Sequence, residues 1–238
     1  MNILTLDCEG AYGKYGIIMP WDKGFYLSCI GVQLNLDEEV IWFDHNQHMP
    51  TPLATDIIQN YIELADIVIA HNMKYDLNVL RYWLDIKFNG KPLYCTMIGE
   101  YILSGQNTRN YRFNLNACCK RNGLEPKLDK VREHWDAGID TCDIPPEILS
   151  EYVMDDVYKA HDLYLIQSQS IEELELGQII RLQNEFTYSL SDMECNGFKF
   201  DLKRSDQIVK ETKEEINKIE TELYTIIEGC LDDGYKAY

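Results

Sequence analysis

The sequence predicts an α/β fold in which one sheet is flanked by helices and followed by a helical appendage. Apolar, strand-like runs dominate the first seventy residues, and helical patterns dominate the rest of the chain. An order of strands first and helices after implies a single sheet with helical layers. The 238 residues are enough for one sizeable domain with an appendage.

The strands of the sheet are expected at residues 2–6, 25–34, 39–43 and 66–70. The last of these, Asp66-Ile-Val-Ile-Ala70, is apolar and β-branched between polar neighbours, as in a buried strand. An amphipathic stretch at 52–64 precedes it. Helices are predicted at 75–84, 96–103 and 113–121, and a long helix opens at Pro145-Pro146 and runs to about Gln167.

The helical pattern changes from Glu172 onward. One apolar-faced helix leads to a turn at Asn196-Gly197, and a second with many Lys/Glu pairs runs from Lys203 to about Ile227. We therefore divide the chain into a main domain, residues 1–169, and a helical segment, residues 170–238.

Charge and composition exclude several classes of protein. The formal net charge is −18, from 40 acidic and 22 basic side chains, which disfavours a tight sequence-specific duplex binder. Eight cysteines are scattered without a Cys-x-x-Cys spacing, which indicates reduced thiols and no zinc site. No apolar run approaches the roughly 18 residues that span a membrane. We expect a cytoplasmic protein without a membrane partner.

Two carboxylates, Asp7 and Glu9, lie at the end of the first predicted strand. Positions i and i+2 of a strand project to the same side, so one hard cation could bridge them. The Asp-x-Glu pattern also occurs at Asp37/Glu39 and Asp192/Glu194, where solvated surface is the favoured interpretation. The first pair follows an apolar strand at a sheet edge, yet from the pair alone metal binding and plain solvation stay equally open.

A second group of polar residues, His71-Asn72-Met73-Lys74-Tyr75-Asp76, follows the buried strand at 66–70. Asp76 is expected in the first turn of the next helix, where a lone acid usually complements the helix dipole. Asn72 and Tyr75 add an amide and a ring on which a base could stack.

A third group lies in the long helix, where Tyr152 and Asp156 share one face at spacing i, i+4. Tyr158 and Asp162 repeat this spacing six residues later. The spacing alone does not choose between the two pairs.

Together the three groups resemble the DEDD exonucleases, specifically the tyrosine-containing branch that proofreads for family A DNA polymerases and their phage relatives. Asp7-Cys8-Glu9 looks like the first motif, Asn72-Met-Lys-Tyr-Asp76 closely matches the second, and Tyr152-Val-Met-Asp-Asp156 matches the third. Residues 96–103 and 114–118 are similar to the helices between the last two motifs. Met193–Asp201 is similar to the segment that opens the polymerase region, and the distance to it favours Asp156 over Asp162.

The resemblance implies an RNase H-like fold and a two-metal-ion 3′→5′ exonuclease acting on single-stranded or frayed 3′ DNA ends. The implied metals are two Mg²⁺ or Mn²⁺ ions. Asp7 would bridge both ions, Glu9 and Asp156 would complete one site, Asp76 would hold the second ion, and Tyr152 would orient the nucleophile. His71, Asn72 and Tyr75 would bind substrate. The implied setting is bacterial or phage-infected host cytoplasm.

The chain departs from the family at two places near these motifs. Gly10 stands where many members have Thr, so a contact to the terminal sugar is in doubt, and His71 stands where Gln is frequent.

The palm motifs of a polymerase are absent, so we expect a polymerase palm as partner, either a separate chain or a missing C-terminal extension. Two alternatives remain: an RNase D-like RNA exonuclease, and a catalytically degenerate domain that serves as a polymerase scaffold.

Overall fold

The computed structural model describes residues 1–13, 16–43, 52–126 and 130–231. The chain divides into two compact units, Met1–Asn196 and Gly197–Tyr238. The first unit contains the sheet, and the second contains one long helix.

The main sheet has five strands in the order β5-β4-β1-β6-β7. Their bounds are β1 Ile3–Gly10, β4 Leu27–Leu34, β5 Asp37–Trp42, β6 Ile67–Ala70 and β7 Leu93–Cys95. β4 is antiparallel to both β1 and β5, whereas β6 is parallel to β1 and to β7. Two short strands, β2 Tyr12–Gly13 and β3 Gly16–Ile17, form a separate antiparallel pair.

Eight α-helices are described: α1 Pro52–Leu64, α2 Met73–Asn78, α3 Thr96–Leu103, α4 Leu115–Arg121, α5 Lys130–Asp136, α6 Pro146–Glu173, α7 Gly177–Asn196 and α8 Leu202–Leu231. A π-helical turn, Val79–Trp83, continues α2, and a 3₁₀ turn, Thr141–Asp143, precedes α6.

The prediction of a mixed sheet flanked by helices, with a helical appendage, is confirmed. The structure adds β7, α5 and the β2–β3 pair, which the sequence patterns did not reveal. It also extends the first strand through Glu9 to Gly10, so that Asp7 and Glu9 lie within β1 and not after it.

The side chains of strand β1 alternate between the main core and a face that carries the acids. Leu4, Leu6 and Cys8 are buried in the main core cluster, and each such apolar side chain contributes roughly 1.5–3 kcal/mol on burial. Because side chains alternate along a strand, Asp7 and Glu9 project from the opposite face. The core therefore fixes the register that places both acids on one side.

Helix α7 packs into the first unit. The Asn184 side chain accepts a hydrogen bond from the Cys95 backbone N–H at 2.6 Å. Near its end, Glu194 accepts hydrogen bonds from Lys74 and Asn78. These contacts fix α7 against β7 and α2. The assignment of residues 170–238 to the start of a polymerase region stays a prediction.

Helix α8, in the second unit, presents an apolar row with Val209, Ile216 and Leu223 all about half exposed. The row recurs every seven residues, as on a helix face that packs against another apolar surface.

Within the described ranges, no helix is both long and apolar enough to cross a bilayer.

Candidate active site

The centre of the site is the polar face of β1. Asp7 is paired with Gly31 on β4, and Glu9 is paired with Cys29. A register shift follows between Glu9 and Gly10, where β1 leaves regular pairing. The two carboxylates therefore lie on the central strand of the sheet, at positions i and i+2 and on the same face.

Helix α6 lies close over this face because Gly31 has no side chain. A β-carbon at Gly31 would lie 3.0 Å from Val153 Cγ2 and 3.1 Å from Val157 Cγ2. The close approach brings the two neighbouring residues of the helix, Tyr152 and Asp156, to the carboxylates of β1. Both side chains are buried.

Three carboxylates meet there, and they form the one group with metal-ligand spacing among the described residues. Asp7, Glu9 and Asp156 each offer an oxygen, and these oxygens all lie within 4.8 Å of one another. Negative charges at such distances repel each other, which a bound cation would relieve.

Asp76 approaches the same place from α2. Its carboxylate is buried and accepts a hydrogen bond from the Cys8 backbone N–H at 3.0 Å. Burial raises the pKa of Asp76 well above its ordinary value, and the negative charge of Asp7 raises it further, while the hydrogen bond from Cys8 opposes the shift. A fourth acid thus faces the cluster from a second element, in the first helical turn as predicted.

A cleft of about 640 Å³ opens onto these acids. It brings together seven of the eight residues predicted from the sequence, and Glu9 belongs to the adjoining carboxylate group. The cleft is lined by Asp7, His71, Asn72, Tyr75, Asp76, Met97, Phe113, Asn114, Leu115, Tyr152 and Asp156.

The His71 ring holds the wall of the cleft together. Its Nε2 lies 2.9 Å from the Phe113 carbonyl oxygen, and its Nδ1 lies 2.8 Å from Thr96 Oγ1. Because a carbonyl oxygen only accepts, Nε2 donates, and in the neutral ring Nδ1 accepts from the threonine hydroxyl. Both ring nitrogens form hydrogen bonds within the protein. If His71 binds substrate as predicted, it would therefore do so through the face of its ring.

Tyr75 reaches from α2 to the end of β1. Its hydroxyl lies where a side chain at Gly10 would be, 2.9 Å from the position of a β-carbon. Burial raises the pKa of Tyr75 far above its ordinary value, and neighbouring acidic groups add to the shift. The Tyr26 carbonyl oxygen is equally close to that β-carbon position, at 3.0 Å, so a side chain at position 10 would require this part of the site to shift.

Tyr152 is held from behind by an aromatic contact. The Trp135 ring on α5 meets it edge to face, with ring centroids 5.9 Å apart. The indole N–H of Trp135 donates to Thr141 Oγ1 at 3.2 Å. Helix α5 and the turn after it thus fix the ring of the motif tyrosine.

The competing residue pairs lie elsewhere. The Tyr158 hydroxyl donates to Glu38 at 2.6 Å, and Asp162 is exposed. Asp192 accepts hydrogen bonds from Arg81 at 2.7 Å and from the Tyr82 hydroxyl at 2.9 Å. With Glu194, it anchors α7 to the helix that carries Asp76, a role that the interpretation as solvated surface missed.

Sequence reasoning also missed Phe113, Asn114 and Trp135. Asn114 did carry a signal, since its side chain caps α4 by accepting from the Ala117 N–H at 2.9 Å, and Asn is a preferred capping residue. Phe113 and Trp135 carried none, because an aromatic residue beside a polar loop does not reveal what it contacts.

The residues fit a divalent cation. The ligand atoms are carboxylate oxygens, which hard cations such as Mg²⁺ prefer. Cys8 lies between two of the acids in sequence but is buried on the opposite face of the sheet. The group therefore offers no thiolate or imidazole and does not suit zinc.

Clustered carboxylates facing an open cleft are typical of metal-dependent phosphoryl hydrolases. A sequence model of the 3′-5′ exonuclease family matches residues 19–171. The chain belongs to this family, and its membership makes it a nuclease. The matched range begins after Asp7 and Glu9, so the prediction that these two acids belong to the active site rests on their motif and their geometry.

Several solved structures share the fold of this chain. The chain is similar to a structure described as the apo form of the nuclease, with TM-score 0.64, 17% identity, and coverage of 84% of this chain and 88% of that one. It is also similar to Brucella melitensis NrnC with bound Mg²⁺, with TM-score 0.61, 17% identity and coverage of 84% and 89%. The NrnC structure bound to pGG gives TM-score 0.58, 19% identity and coverage of 84% and 88%. At these identities the likeness shows the fold alone. No curated protein sequence matches the chain.

Proposed function

We propose that the chain is a two-metal-ion 3′→5′ exonuclease that removes nucleotides from the 3′ ends of DNA during proofreading. The observation that carries the proposal is the meeting of Asp7, Glu9 and Asp156 within 4.8 Å, beside the buried Asp76 and at the base of a cleft. Family membership supports hydrolysis of nucleic acid.

Each acid has a distinct place in the proposed mechanism. Asp7, Glu9 and Asp156 would hold one cation, and Asp76 would hold the other together with Asp7. When bound, two such ions activate a water and neutralise charge on the phosphate and the leaving oxygen.

The other residues of the cleft position the reactants. Tyr152, which is braced by Trp135, would orient the attacking water by a hydrogen bond. An ordinary phenol has a pKa near 10 and is a weak base at neutral pH, so the role is orientation. Phe113 and Tyr75 line the cleft and offer ring surface to the terminal base.

The preference for DNA rests on the motif resemblance to polymerase proofreading domains. An RNase D-like activity on RNA is the second candidate, and one observation favours it: the fold likeness to NrnC, which has been solved bound to pGG. Both candidates use the same acids and differ in how they treat the 2′-hydroxyl.

The test compares single-stranded DNA and RNA of matched sequence, labelled at the 5′ end, with Mg²⁺ or Mn²⁺. A ladder shortening from the 3′ end of DNA, abolished by chelator and by a blocked 3′ end, is expected. Faster hydrolysis of RNA would select the second candidate. No hydrolysis of either strand under these conditions would refute the proposal.

The partner is proposed to be a DNA polymerase palm, as a separate chain or a C-terminal extension, in bacterial or phage-infected cytoplasm. The exposed apolar row of α8 supports an apolar partner surface. Primer-extension assays should show degradation without synthesis, and nucleotide incorporation by this chain would contradict the proposal.

A further inference from the structure

One segment of this acidic chain is free of acidic residues. The longest stretch without Asp or Glu runs from Tyr101 to Leu124, and it contains four basic residues, Arg109, Arg112, Lys120 and Arg121. A chain of net charge −18 repels phosphate overall. The location of this stretch therefore bears on where a nucleic-acid strand can approach.

The acid-free stretch forms a rim of the cleft. Phe113 and Asn114 line the cleft together with the catalytic acids. The Phe113 carbonyl accepts the hydrogen bond from His71 described above, which ties the loop before α4 to the motif that carries Asp76. The loop at residues 107–114, here called the rim loop, thus lies directly beside the acids.

Arg121 braces the rim loop from inside. Its guanidinium lies over the Tyr111 ring at 5.2 Å and the Phe113 ring at 5.6 Å, and it donates to the Arg112 carbonyl oxygen at 2.7 Å. Its charge is balanced by the buried Glu100, whose carboxylate it meets at 2.8 Å. Arg121 is therefore a structural cation that holds the loop in place.

The two arginines on the rim loop itself face solvent. Arg109 and Arg112 are exposed, and within the described ranges neither forms an ion pair. Tyr111 between them is 40% exposed. Two guanidinium groups flanking a ring on a braced loop suit the phosphates and bases of a single strand.

We propose that the rim loop binds the backbone of the strand whose 3′ end occupies the cleft, with Arg109 and Arg112 contacting phosphates upstream of the scissile bond. The inference rests on the proposed exonuclease function and deepens it. The ligand chemistry is the phosphodiester backbone of single-stranded nucleic acid, which DNA and RNA share.

The test measures binding of a 5′-labelled oligonucleotide by fluorescence anisotropy as a function of salt, with DNA and RNA arms. Ca²⁺ replaces Mg²⁺, since the larger ion binds carboxylates but activates water poorly. Arg109→Ala/Arg112→Ala should weaken binding about tenfold at low salt and reduce the salt slope by about 1.4, because each lost phosphate contact on a single strand contributes about 0.7. The arm with the tighter complex identifies the nucleic acid.

A matched control removes two positive charges elsewhere. Lys87→Ala/Arg181→Ala changes the net charge equally, and both side chains are exposed and lie outside the cleft. This control should keep the parent salt slope. An equal loss of affinity and salt slope in both double variants would show that net charge alone causes the effect, and it would overturn the proposal.

Hydrolysis of a dinucleotide separates the inference from the proposed function. A dinucleotide with a free 5′-hydroxyl contains only the scissile phosphate and has no phosphate upstream for Arg109 and Arg112 to contact. Arg109→Ala/Arg112→Ala should therefore cleave it at the parent rate with Mg²⁺. If the parent itself cleaves neither substrate, the proposed function fails. If the parent cleaves both and the arginine variant keeps the parent affinity and salt slope for the longer strand, the inference alone fails.

Discussion

The close packing of α6 on β4 gives a quantitative prediction for Gly31→Ala. An added β-carbon would lie 3.0 Å from Val153 Cγ2 and 3.1 Å from Val157 Cγ2. Carbon atoms in ordinary contact are about 3.5–4.0 Å apart, so the helix must move away by about 0.5–1 Å. This helix carries Tyr152 and Asp156, and both would retreat from the acids of β1.

The expected effect on activity is larger than the effect on stability. Overpacking of this kind costs about 1–3 kcal/mol of unfolding free energy. A misplacement of about 1 Å at a reacting centre costs on the order of 100-fold in rate, so we expect a fall in kcat of about 10- to 100-fold. KM should change less, because of the residues that line the cleft only Tyr152 and Asp156 lie on the displaced helix.

Single-turnover release of the 3′-terminal nucleotide, with denaturant unfolding of the same samples, measures both effects. Gly177→Ala is the matched control, since no atom lies within 4 Å of its added β-carbon. Combining Gly31→Ala with Val157→Ala should recover part of the lost rate. A folded Gly31→Ala protein with the parent rate would refute the reasoning.

Three further predictions follow from the site and its supports. Without metal, Asp76→Asn should raise the melting temperature by a few degrees near pH 8. Burial raises the folded-state pKa of Asp76, so the ionisation of this carboxyl opposes folding above its unfolded-state pKa. The gain in melting temperature should therefore shrink as the pH falls toward about 4. A parent protein as stable as the variant near pH 8 would contradict this prediction. Asp156→Ala should nearly eliminate turnover while Asp162→Ala keeps most of it, and the reverse order in folded proteins would move the third motif along α6. Ending the chain after Asn196 should spare hydrolysis of short oligonucleotides, whereas ending it after Gln169 should destabilise the protein. The second truncation removes α7, on which Glu194 binds Lys74 and Asn78 and Asp192 binds Arg81. Equal melting temperatures for the two truncations would contradict this role of α7.

The sequence was sufficient for the main elements of the site because their signals are local. The apolar alternation of β1 places Asp7 and Glu9 on one face, and the polar residues after β6 place Asp76 in a first helical turn. Helical periodicity places Tyr152 and Asp156 on one face of a helix. Each of these placements needs only a few neighbouring residues, whereas the choice of this pair over Tyr158 and Asp162 came from the family resemblance.

The remaining features depend on contacts distant in sequence. Strand β7, Leu93–Cys95, is too short for a periodic signal and exists because β6 pairs with it. The need for glycine at position 31 comes from the packing of α6, which lies more than a hundred residues away in the sequence. Glu194 looks like one more surface acid until α7 is packed against Lys74. Local patterns do not contain this information.

The most direct test of the account is the effect of Asp7→Asn on the release of the 3′-terminal nucleotide from single-stranded DNA. The variant keeps the size of the side chain and removes the charge of the acid shared by both proposed ion sites. With Mg²⁺ or Mn²⁺ at saturating protein, we predict a loss of about 1,000-fold or more with little change in strand binding. Release at the parent rate by folded Asp7→Asn protein would contradict the assignment of this cluster as the active site.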